Sequence, residues 1–515
     1  MTSVLRSPHE ESNNIYIDPD VLARVKQVLV DIVGPEWVSD DPAITIGYSK
    51  DYAAYLKFNW KSYSPFIVVL PRTVEEVRAI VRVARQFKIP VVPVGSTGSQ
   101  FSWHIPRTGG IIVDVSRMDS ILLIDEDNMV AVVEAGCPIF KLQTELLKRR
   151  MFIHQPGACS TFYIGSHFTH GITNKANARL GFVNRQIVGY EMVLPDGTIL
   201  RTGSLANYEN PRPLWPHGPG PDLGHIPRMA QGTLGIVTKV ALRTHPLDEE
   251  VRVFQPAFNN VDAATLALEE VAKNELCTGT AMYTGFKYTQ YFADSPDAVD
   301  IIDRVNPEWM LMLTVQGTKR WADYEEKRVR EITEKYGGRI ITDKLPFYQM
   351  FEDAQLNMSA SLYSEYTIKY WSYPGTVGAP AGMILAPLYA YPRYFKMLTL
   401  LYATEPVLKD PDEGDVKYKR GAIVYPVEDA HYAMFELMIA GHPTDPRLIK
   451  EIGPRFAPRL NRALVKLGLR FDAKYGVART GEVGVIPTYM EVVKKIKSVL
   501  DPDQIMHPLA WEGVP

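Results

Sequence analysis

The chain has 515 residues, 46% hydrophobic and 22% charged, which is the composition of a soluble globular protein and enough length for two domains. A net charge of −3 argues against a nucleic acid or an anionic membrane as partner. No apolar run is long enough to span a membrane, the first residues lack a signal-peptide core, and three widely spaced cysteines argue against a disulfide framework or a zinc site. We therefore expect a cytoplasmic protein without a metal centre.

An alternation of strands and a helix is the first clear pattern along the chain. Residues 66–70 and 91–94 are rich in Val and Ile and predict buried strands. Between them, residues 74–87 repeat apolar side chains at helical spacing. Thr73 and Glu76 have the spacing of a capping box, which predicts that the helix begins directly after Thr73.

The second strand leads into a loop of small residues at 95–100, and another strand is predicted at 111–115. Gly, Ser and Thr leave backbone N–H groups open to a phosphate, because no bulky side chain shields them. The spacing is neither that of a dinucleotide-binding GxGxxG loop nor that of a Walker loop. Taken alone, the loop is equally consistent with a plain turn.

The remaining elements fall into two groups, before and after Pro246. The first group predicts a strand, a helix with Pro138 near its first position, a hairpin, a long Pro/Gly-rich loop and a strand. These elements lie at residues 130–134, 138–150, 187–202, 205–228 and 240–245. The second group, at 263–274, 309–316, 322–336, 339–342, 432–439, 448–467 and 488–500, predicts a second α+β unit.

Six short motifs occur in one order, at 93–98, 133–136, 164–165, 189–197, 232–238 and 501–508. Together they resemble flavoproteins of the vanillyl-alcohol oxidase and p-cresol methylhydroxylase (PCMH) type, whose FAD-binding domain also occurs in FAD-linked glycolate and D-lactate dehydrogenases. The resemblance implies an α+β fold in two domains. A PCMH-type FAD-binding domain would occupy 1–247 and an α+β cap (substrate) domain with an antiparallel sheet would occupy 248–465. A C-terminal segment, 466–515, would return to the FAD domain.

The resemblance implies bound FAD, with its pyrophosphate on the loop at 95–101 and its flavin and ribityl chain along residues near 156–165. The adenine and ribose would lie near 187 and 236–237. Simple core packing is the alternative for the apolar residues. The implied cofactor-binding residues are Pro93, Gly95, Ser96, Thr97, Gly98, Ser99, Gln100, Phe101, Pro156, Gly157, Ser160, Ile164, Gly165, Ile187, Gly232, Gly235, Ile236 and Val237.

We expect this FAD to be held without a covalent bond. Related flavoproteins often tether the flavin through a His or Tyr, either in the pyrophosphate loop or in the cap. Residues 95–102 contain no His, Cys or Tyr, and the place of the cap tether falls at Gly382 or Met383. The nearest residues that could form such a bond are Tyr389, Tyr391 and His104.

The same resemblance suggests how substrate is recognised. The cap lacks the His-rich motif that hydroxyacid dehydrogenases of this type often carry, which favours the phenol-oxidising branch. That branch has a Tyr-Arg-Thr in the cap, where this chain keeps Arg479 but not the tyrosine, and a pocket tyrosine where this chain has Trp103. Arg479 suits a phenolate or a carboxylate, with a surface or structural arginine as the alternative. Losing both tyrosines indicates a larger or differently shaped aromatic substrate.

A histidine is expected beside the flavin, where the branch has an acidic residue. His170 falls nearest to that place and is the candidate general base, with His167 as the second choice and a purely structural histidine as the alternative. His431 opens a strand expected to face the cap side of the flavin and is a further candidate for substrate contact. Tyrosines between 363 and 391 would shape the pocket.

The implied function is that of an FAD-dependent oxidase or dehydrogenase, with hydride transfer from an aromatic (benzylic or phenolic) alcohol-type substrate to flavin N5. One alternative is an FAD-linked 2-hydroxy acid oxidase or dehydrogenase, with Arg479 on the carboxylate. Another is a flavin-binding subunit or isomerase without net redox turnover. Besides the small-molecule substrate, candidate partners are a second copy of the chain and an electron-acceptor protein, and oxygen as acceptor stays open.

Overall fold

The computed structural model describes residues 15–49, 63–97, 103–154, 161–170, 176–207, 213–218, 220–286, 304, 306–341, 379–386, 388–396, 419–440, 470–471 and 487–510. The helices in these ranges are α1 (Pro19–Val33), α2 (Pro42–Thr45), α3 (Val74–Phe87), α4 (Ile139–Leu147), α5 (Ile164–His170), α6 (Asn177–Leu180), α7 (Val261–Lys273), α8 (Lys319–Lys335) and α9 (Pro487–Leu500).

The strands up to and including Pro246 are β1 (Val38–Ser39), β2 (Ile67–Val69), β3 (Val91–Val94), β4 (Ile111–Asp114), β5 (Ile121–Asp125), β6 (Val130–Glu134), β7 (Met151–Phe152), β8 (Ile187–Val193), β9 (Ile199–Arg201), β10 (Ile236–Arg243) and β11 (His245–Pro246). Those after it are β12 (Glu250–Phe254), β13 (Pro256–Phe258), β14 (Gly279–Thr284), β15 (Trp309–Gly317), β16 (Arg339–Ile340), β17 (Ala379–Ala386), β18 (Lys419–Val427), β19 (Tyr432–Ala440) and β20 (Arg470–Phe471).

The first sheet has the order β1-β2-β4-β3, with β2, β4 and β3 parallel and β1 antiparallel at the edge. Helix α3 packs its apolar face onto this sheet and against α1. The buried residues of this face are Val77, Ile80, Val81 and Ala84. The helix has the predicted bounds, and the Thr73 side chain accepts from the Glu76 N–H at 3.2 Å. The Glu76 carboxylate accepts from the Arg72 N–H, one residue before the position that a capping box uses.

The second sheet is antiparallel, in the order β5-β6-β10-β8-β9. Strand β10 begins at Ile236, four residues before its predicted start at 240, because pairing with β8 already begins where Ile236 meets Val193. Helix α4 is shorter than the predicted 138–150. Pro138 is its N-cap, not a helical residue, and Arg150 adopts a left-handed φ of 55°, so the helix stops before it.

A third sheet lies after Pro246, in the order β16-β13-β15-β14-β18-β19-β17-β20, with β12 also paired to β15. Its pairs are antiparallel, and α7 and α8 pack on it around a core that contains Trp309 and Leu311. The α+β fold with an antiparallel cap sheet is therefore confirmed. Strand β20 pairs with β17 in this sheet, five residues past the proposed boundary at 465; the domain boundaries stay predictions.

The two halves of the chain meet at α6. Ala178 is buried in the core of the third sheet, and Arg179 donates to the Thr278 hydroxyl at 3.1 Å. In the turn between β18 and β19, Glu428 pairs with Arg185 at 2.9 Å and the Asp429 N–H donates to Ala178 O. The turn of the cap hairpin thus rests on the segment that leads into β8.

After α9, the chain adds a short parallel partner to the first sheet. The Val91 N–H donates to Ile505 O at 2.8 Å, and the His507 N–H donates to Val91 O at 2.7 Å. In the part of the chain that the structure describes, no helix combines the length and apolarity needed to cross a membrane. The helix predicted at 448–467 and most of the tyrosine-rich stretch at 361–394 lie outside the described residues.

Candidate functional site

The sequence motifs of the first half converge where its two larger sheets meet. Gly95 follows β3 and faces α5: a Cβ on Gly95 would lie 2.7 Å from Ser166 Oγ, so only glycine allows this approach. Within α5, the Gly165 N–H donates to Ala135 O at 2.8 Å, which joins the motifs at 164–165 and 133–136. The loop after β3 and the start of α5 therefore lie side by side.

The turn at 230–235 closes this set of contacts. Gly232 has a φ of +71°, and a Cβ there would lie 2.4 Å from Pro93 Cγ, so the turn touches β3 directly. The Ala135 N–H donates to Thr238 O at 3.0 Å, and β10 pairs with β8 from Ile236 onward. The five motifs before Pro246 are thus joined by direct contacts, although they span some 145 residues of sequence, from 93 to 238.

The chemistry of the described part of the loop after β3 suits a diphosphate. The Ser96 hydroxyl accepts from the Tyr163 N–H at 3.3 Å, which places the small residues Gly95, Ser96 and Thr97 beside the first turn of α5. Described residues 91–97 and 161–170 contain no carboxylate that would repel an anion, and they offer hydroxyl and backbone N–H donors. These residues therefore fit the pyrophosphate of a dinucleotide.

His170 and Trp103 form a stacked pair next to this loop. Their ring centroids are 4.4 Å apart and their planes differ by 9°. His170 Nδ1 lies 2.6 Å from Ser166 O, and because a carbonyl only accepts, Nδ1 carries the proton. The lone pair of the neutral ring is then on Nε2. The structure brings together His170, Trp103 and Gly95, with Ser166 between the histidine and the glycine.

The other two candidate histidines have different surroundings. His167 is buried, stacks on Phe162 with ring centroids 4.5 Å apart, and has Nδ1 3.2 Å from Ser166 Oγ. His431 is exposed and lies in the turn just before β19 instead of within the strand, with its N–H donating to Glu428 O at 2.8 Å. No role for either histidine follows from these contacts alone.

The apolar residues predicted to flank adenine and ribose contribute to the core. Ile187 and Ile236 are each 1% exposed and belong to the cores under the second and first sheets, and Val237 packs against both cores. Core packing, the alternative considered from the sequence, accounts for these burials. Contact with a cofactor stays a prediction for all three.

Several predicted residues lie outside the described part of the chain, and their roles stay predictions. They are Gly98, Ser99, Gln100, Phe101, Pro156, Gly157, Ser160 and Arg479. Tyr391 was expected to shape the pocket, but it is 1% exposed and packs against Trp309 and Phe435 in the core of the cap. Tyr389 is 71% exposed. Among described residues, no group of His, Cys, Asp and Glu could hold a metal ion.

Sequence reasoning missed Ser166 and Tyr163. Ser166 meets Gly95 through its side chain and His170 through its carbonyl, and Tyr163 supplies the N–H that holds Ser96. The i, i+4 spacing of Ser166 and His170 on a helix was a signal for the contact between these two residues, because residues four apart lie one turn above each other on the same face. The contact of Tyr163 is made by its backbone, so its side chain gave no signal.

The chain is similar to known proteins over its FAD-binding part and beyond. A family described as an FAD binding domain matches residues 65–203. A glycolate oxidase subunit of Bacillus subtilis is 26% identical over 257 residues, which cover 50% of this chain and 52% of that protein. A mitochondrial D-lactate dehydrogenase (cytochrome) of Arabidopsis thaliana is 23% identical over 460 residues, which cover 86% and 73%. The chain thus spans about half the length of the first of these relatives.

Solved structures share the fold over almost the whole chain. p-Cresol methylhydroxylase with substrate bound has a TM-score of 0.78 at 17% identity, over 96% of this chain and 98% of that chain. Alkyldihydroxyacetonephosphate synthase has a TM-score of 0.67 at 17% identity, over 99% and 89%. At such identities the likeness shows the fold. The chain therefore carries an FAD-binding domain at residues 65–203 within a two-domain fold of the PCMH type, and its cofactor is FAD.

Proposed function

We propose that this chain is an FAD-dependent oxidoreductase that oxidises an aromatic (benzylic or phenolic) alcohol-type substrate. The observation that carries the proposal is the stack of His170 on Trp103, held by Ser166 against the loop at Gly95. This stack sets an aromatic surface and a candidate base beside the residues that fit the cofactor's pyrophosphate.

Bound FAD supplies the acceptor for the two electrons that leave the substrate. The chain's own residues orient the substrate and move its proton. His170 accepts the hydroxyl proton at Nε2, because Nδ1 already donates to Ser166 O. Trp103 fixes the plane of the imidazole and offers an apolar face to an aromatic ring.

Arg479 is proposed to stabilise negative charge on the substrate. Its guanidinium can pair with a phenolate or a carboxylate through two parallel N–H donors. Replacing Arg479 by Ala should weaken turnover by about 2–5 kcal/mol of transition-state free energy and leave FAD binding unchanged, because a charged donor is lost from a desolvated site. Steady-state kinetics and flavin content measure the two effects. Unchanged kinetics with every accepted substrate would remove Arg479 from the pocket.

Two other functions are considered beside this one. The similarity to a glycolate oxidase subunit and a D-lactate dehydrogenase favours a 2-hydroxy acid as substrate, with Arg479 on its carboxylate. The third function is that of a flavin-binding subunit or isomerase without net redox turnover. The absence of the His-rich motif from the cap sequence is the feature that favours the aromatic substrate over the hydroxy acid.

A substrate screen followed through flavin absorbance separates the three. Without air, rapid bleaching by an aryl or phenolic alcohol, and not by 2-hydroxy acids, is the expected result. Bleaching by hydroxy acids alone would transfer the proposal to the second function, and no bleaching by any compound would favour the third. Readmission of air then distinguishes oxygen from a protein as electron acceptor.

We also propose that the FAD is not covalently attached. The positions of the cap tether, Gly382 and Met383, cannot form the usual bond, and Tyr391 is packed within the core of the cap. After acid precipitation the yellow colour should stay in the supernatant, and the intact mass should equal that of the polypeptide. A yellow, fluorescent pellet with the mass of FAD added would reject this proposal.

A cytoplasmic location and a homodimer complete the proposal. The three sparse cysteines, of which Cys137 and Cys277 are buried free thiols in the described residues, support a reducing compartment. Cell fractionation and light scattering during size-exclusion chromatography test the two statements, and a secreted or a monomeric protein would contradict them.

A further inference from the structure

Lys497 ties the C-terminal segment to the turn at 230–235. Its side chain is almost fully buried, and its ammonium donates to Thr233 O at 2.9 Å, to Asp501 Oδ2 at 2.8 Å and to Met506 O at 2.9 Å. An ammonium has three N–H donors, so all of them are used. One of the three reaches an oxygen more than 260 residues earlier in the chain.

Asp501 and His507 extend this connection. Asp501 is fully buried and accepts from the N–H groups of Ile505 and Met506, which folds the segment after α9 into a tight turn. His507 is 1% exposed, and its Nδ1 donates to Gln231 O at 2.7 Å while its backbone N–H donates to Val91 O. Lys497, Asp501 and His507 are called the C-terminal clamp below.

Two of the carbonyls that the clamp holds, those of Gln231 and Thr233, flank Gly232. Gln231 and Gly232 have φ values of 54° and 71°, so two successive residues are in the left-handed region, which is unfavourable for a side-chain-bearing residue such as Gln231. The C-terminal segment also pairs with Val91, at the start of the strand that leads to Gly95. The clamp therefore holds both segments that the proposed FAD site requires, the strand before the pyrophosphate loop and the turn at Gly232.

Stability alone is a weak reason for such a cluster. A buried ion pair seldom adds net stability, because the desolvation of two charges offsets their attraction. Three directed donors, in contrast, specify where their acceptors lie. A second ion pair of the same segment, Arg85 with Asp503 at 2.8 Å, is partly exposed and touches neither of the two segments.

We infer that Lys497 and His507 are positioning residues of the FAD site, which hold the Gln231 and Thr233 carbonyls so that the turn at Gly232 keeps its place beside Pro93. This inference rests on the proposed assignment of Gly95 and Gly232 to cofactor binding. It assigns the last residues of the chain to cofactor retention, in addition to their packing on the first sheet.

The test compares FAD release from three full-length holoproteins by the recovery of flavin fluorescence after dilution. Lys497→Met combined with Asp501→Asn removes the ammonium without leaving a buried carboxylate. Arg85→Met is the matched control, because it loosens the same segment without touching Gln231 or Thr233. The double variant should release FAD about tenfold faster or more, whereas the control should stay within about twofold of the wild type.

A second pair of variants tests His507. Asn at this position can place an amide N–H near the place of Nδ1, so His507→Asn should retain FAD, whereas His507→Leu should lose it faster. Absorption bands of the bound flavin should shift in the two loss variants, which decides the question if no form releases FAD on dilution. Lowered melting temperatures with unchanged release and spectra would overturn the inference. A wild type that binds no FAD would instead refute the cofactor assignment.

Discussion

At the scale of single residues, the neighbours of His170 define what its ring can do. The carbonyl of Ser166 keeps the proton on Nδ1, and the indole of Trp103 fixes the plane of the ring. His167, three residues earlier, has its Nδ1 near a hydroxyl and stacks on Phe162. Two histidines on one short helix therefore have different hydrogen-bonding roles, and only His170 stacks on Trp103.

Replacing His170 by Ala should slow flavin reduction by about 10²- to 10⁴-fold, because a positioned general base is lost. Anaerobic stopped-flow absorbance with a saturating substrate measures the rate, and flavin content shows whether the cofactor stays bound. His167→Ala is the comparison on the same helix and should retain most of the rate. Equal rates for the wild type and the His170 variant would assign the base to another residue.

At the scale of elements, the contact between the turn at 230–235 and β3 depends on glycine. Gly232→Ala should lower the free energy of unfolding by about 2–5 kcal/mol, from about 1–2 kcal/mol for the left-handed φ and about 1–3 kcal/mol for overlap with Pro93. Urea unfolding measures this change. The turn also carries the carbonyls of the C-terminal clamp, so FAD retention should fall as well.

Gly47→Ala is the matched control for that substitution. No atom lies within 4 Å of a Cβ at Gly47, the position is exposed, and its φ is not in the left-handed region. Its effect on the free energy of unfolding should be within about 0.5 kcal/mol. A Gly232 variant as stable as this control would show that the turn adapts to a side chain.

At the scale of the whole molecule, buried histidines should make the fold sensitive to acid. Burial lowers the pKa of His154 to about 3 and the pKa values of His245 and His507 to about 4, from an ordinary value of 6.5. The unfolded chain therefore binds protons below pH 6.5 that the folded chain refuses. The free energy of unfolding should fall as the pH drops from 6.5 towards 4, at about 1.4 kcal/mol per pH unit for each fully responding histidine.

Glu325 has the opposite dependence on pH. Burial raises the pKa of Glu325 from 4.5 to about 7. The positive charge of Arg179 opposes this rise in pKa, and the negative charge of Asp248 adds to it. Cys277, whose N–H donates to Glu325 Oε1 at 3.2 Å, is also buried beside it. The folded chain holds this proton where the unfolded chain releases it, so the contribution of Glu325 to stability declines as the pH rises from 4.5 through 7.

Melting temperatures of the wild type and Glu325→Gln between pH 4 and 8 test both statements. The wild type should lose stability below pH 6.5. The difference between the melting temperatures of the variant and the wild type should grow in favour of the variant from pH 4.5 to 7. Above pH 7 it should stay constant, because Gln carries no proton to lose. A constant difference across the whole range would show that Glu325 has an ordinary pKa in the folded protein.

The sequence by itself determined most of the local elements and the presence of an FAD-binding domain. Helix α3 has its predicted bounds, because its apolar spacing and its cap act within a few residues. The early start of β10 was not predictable in this way, because strand pairing with β8 decides it.

Only the tertiary structure decided which distant residues meet. Nothing within the sequence near Lys497 shows that its ammonium would reach Thr233, and nothing near Trp103 shows that it would stack on His170. Periodicity and capping report interactions along one segment, whereas these contacts depend on how the sheets and the C-terminal segment pack together. The residues predicted to bind FAD could therefore be named from the chain, but the contacts between distant segments required the fold.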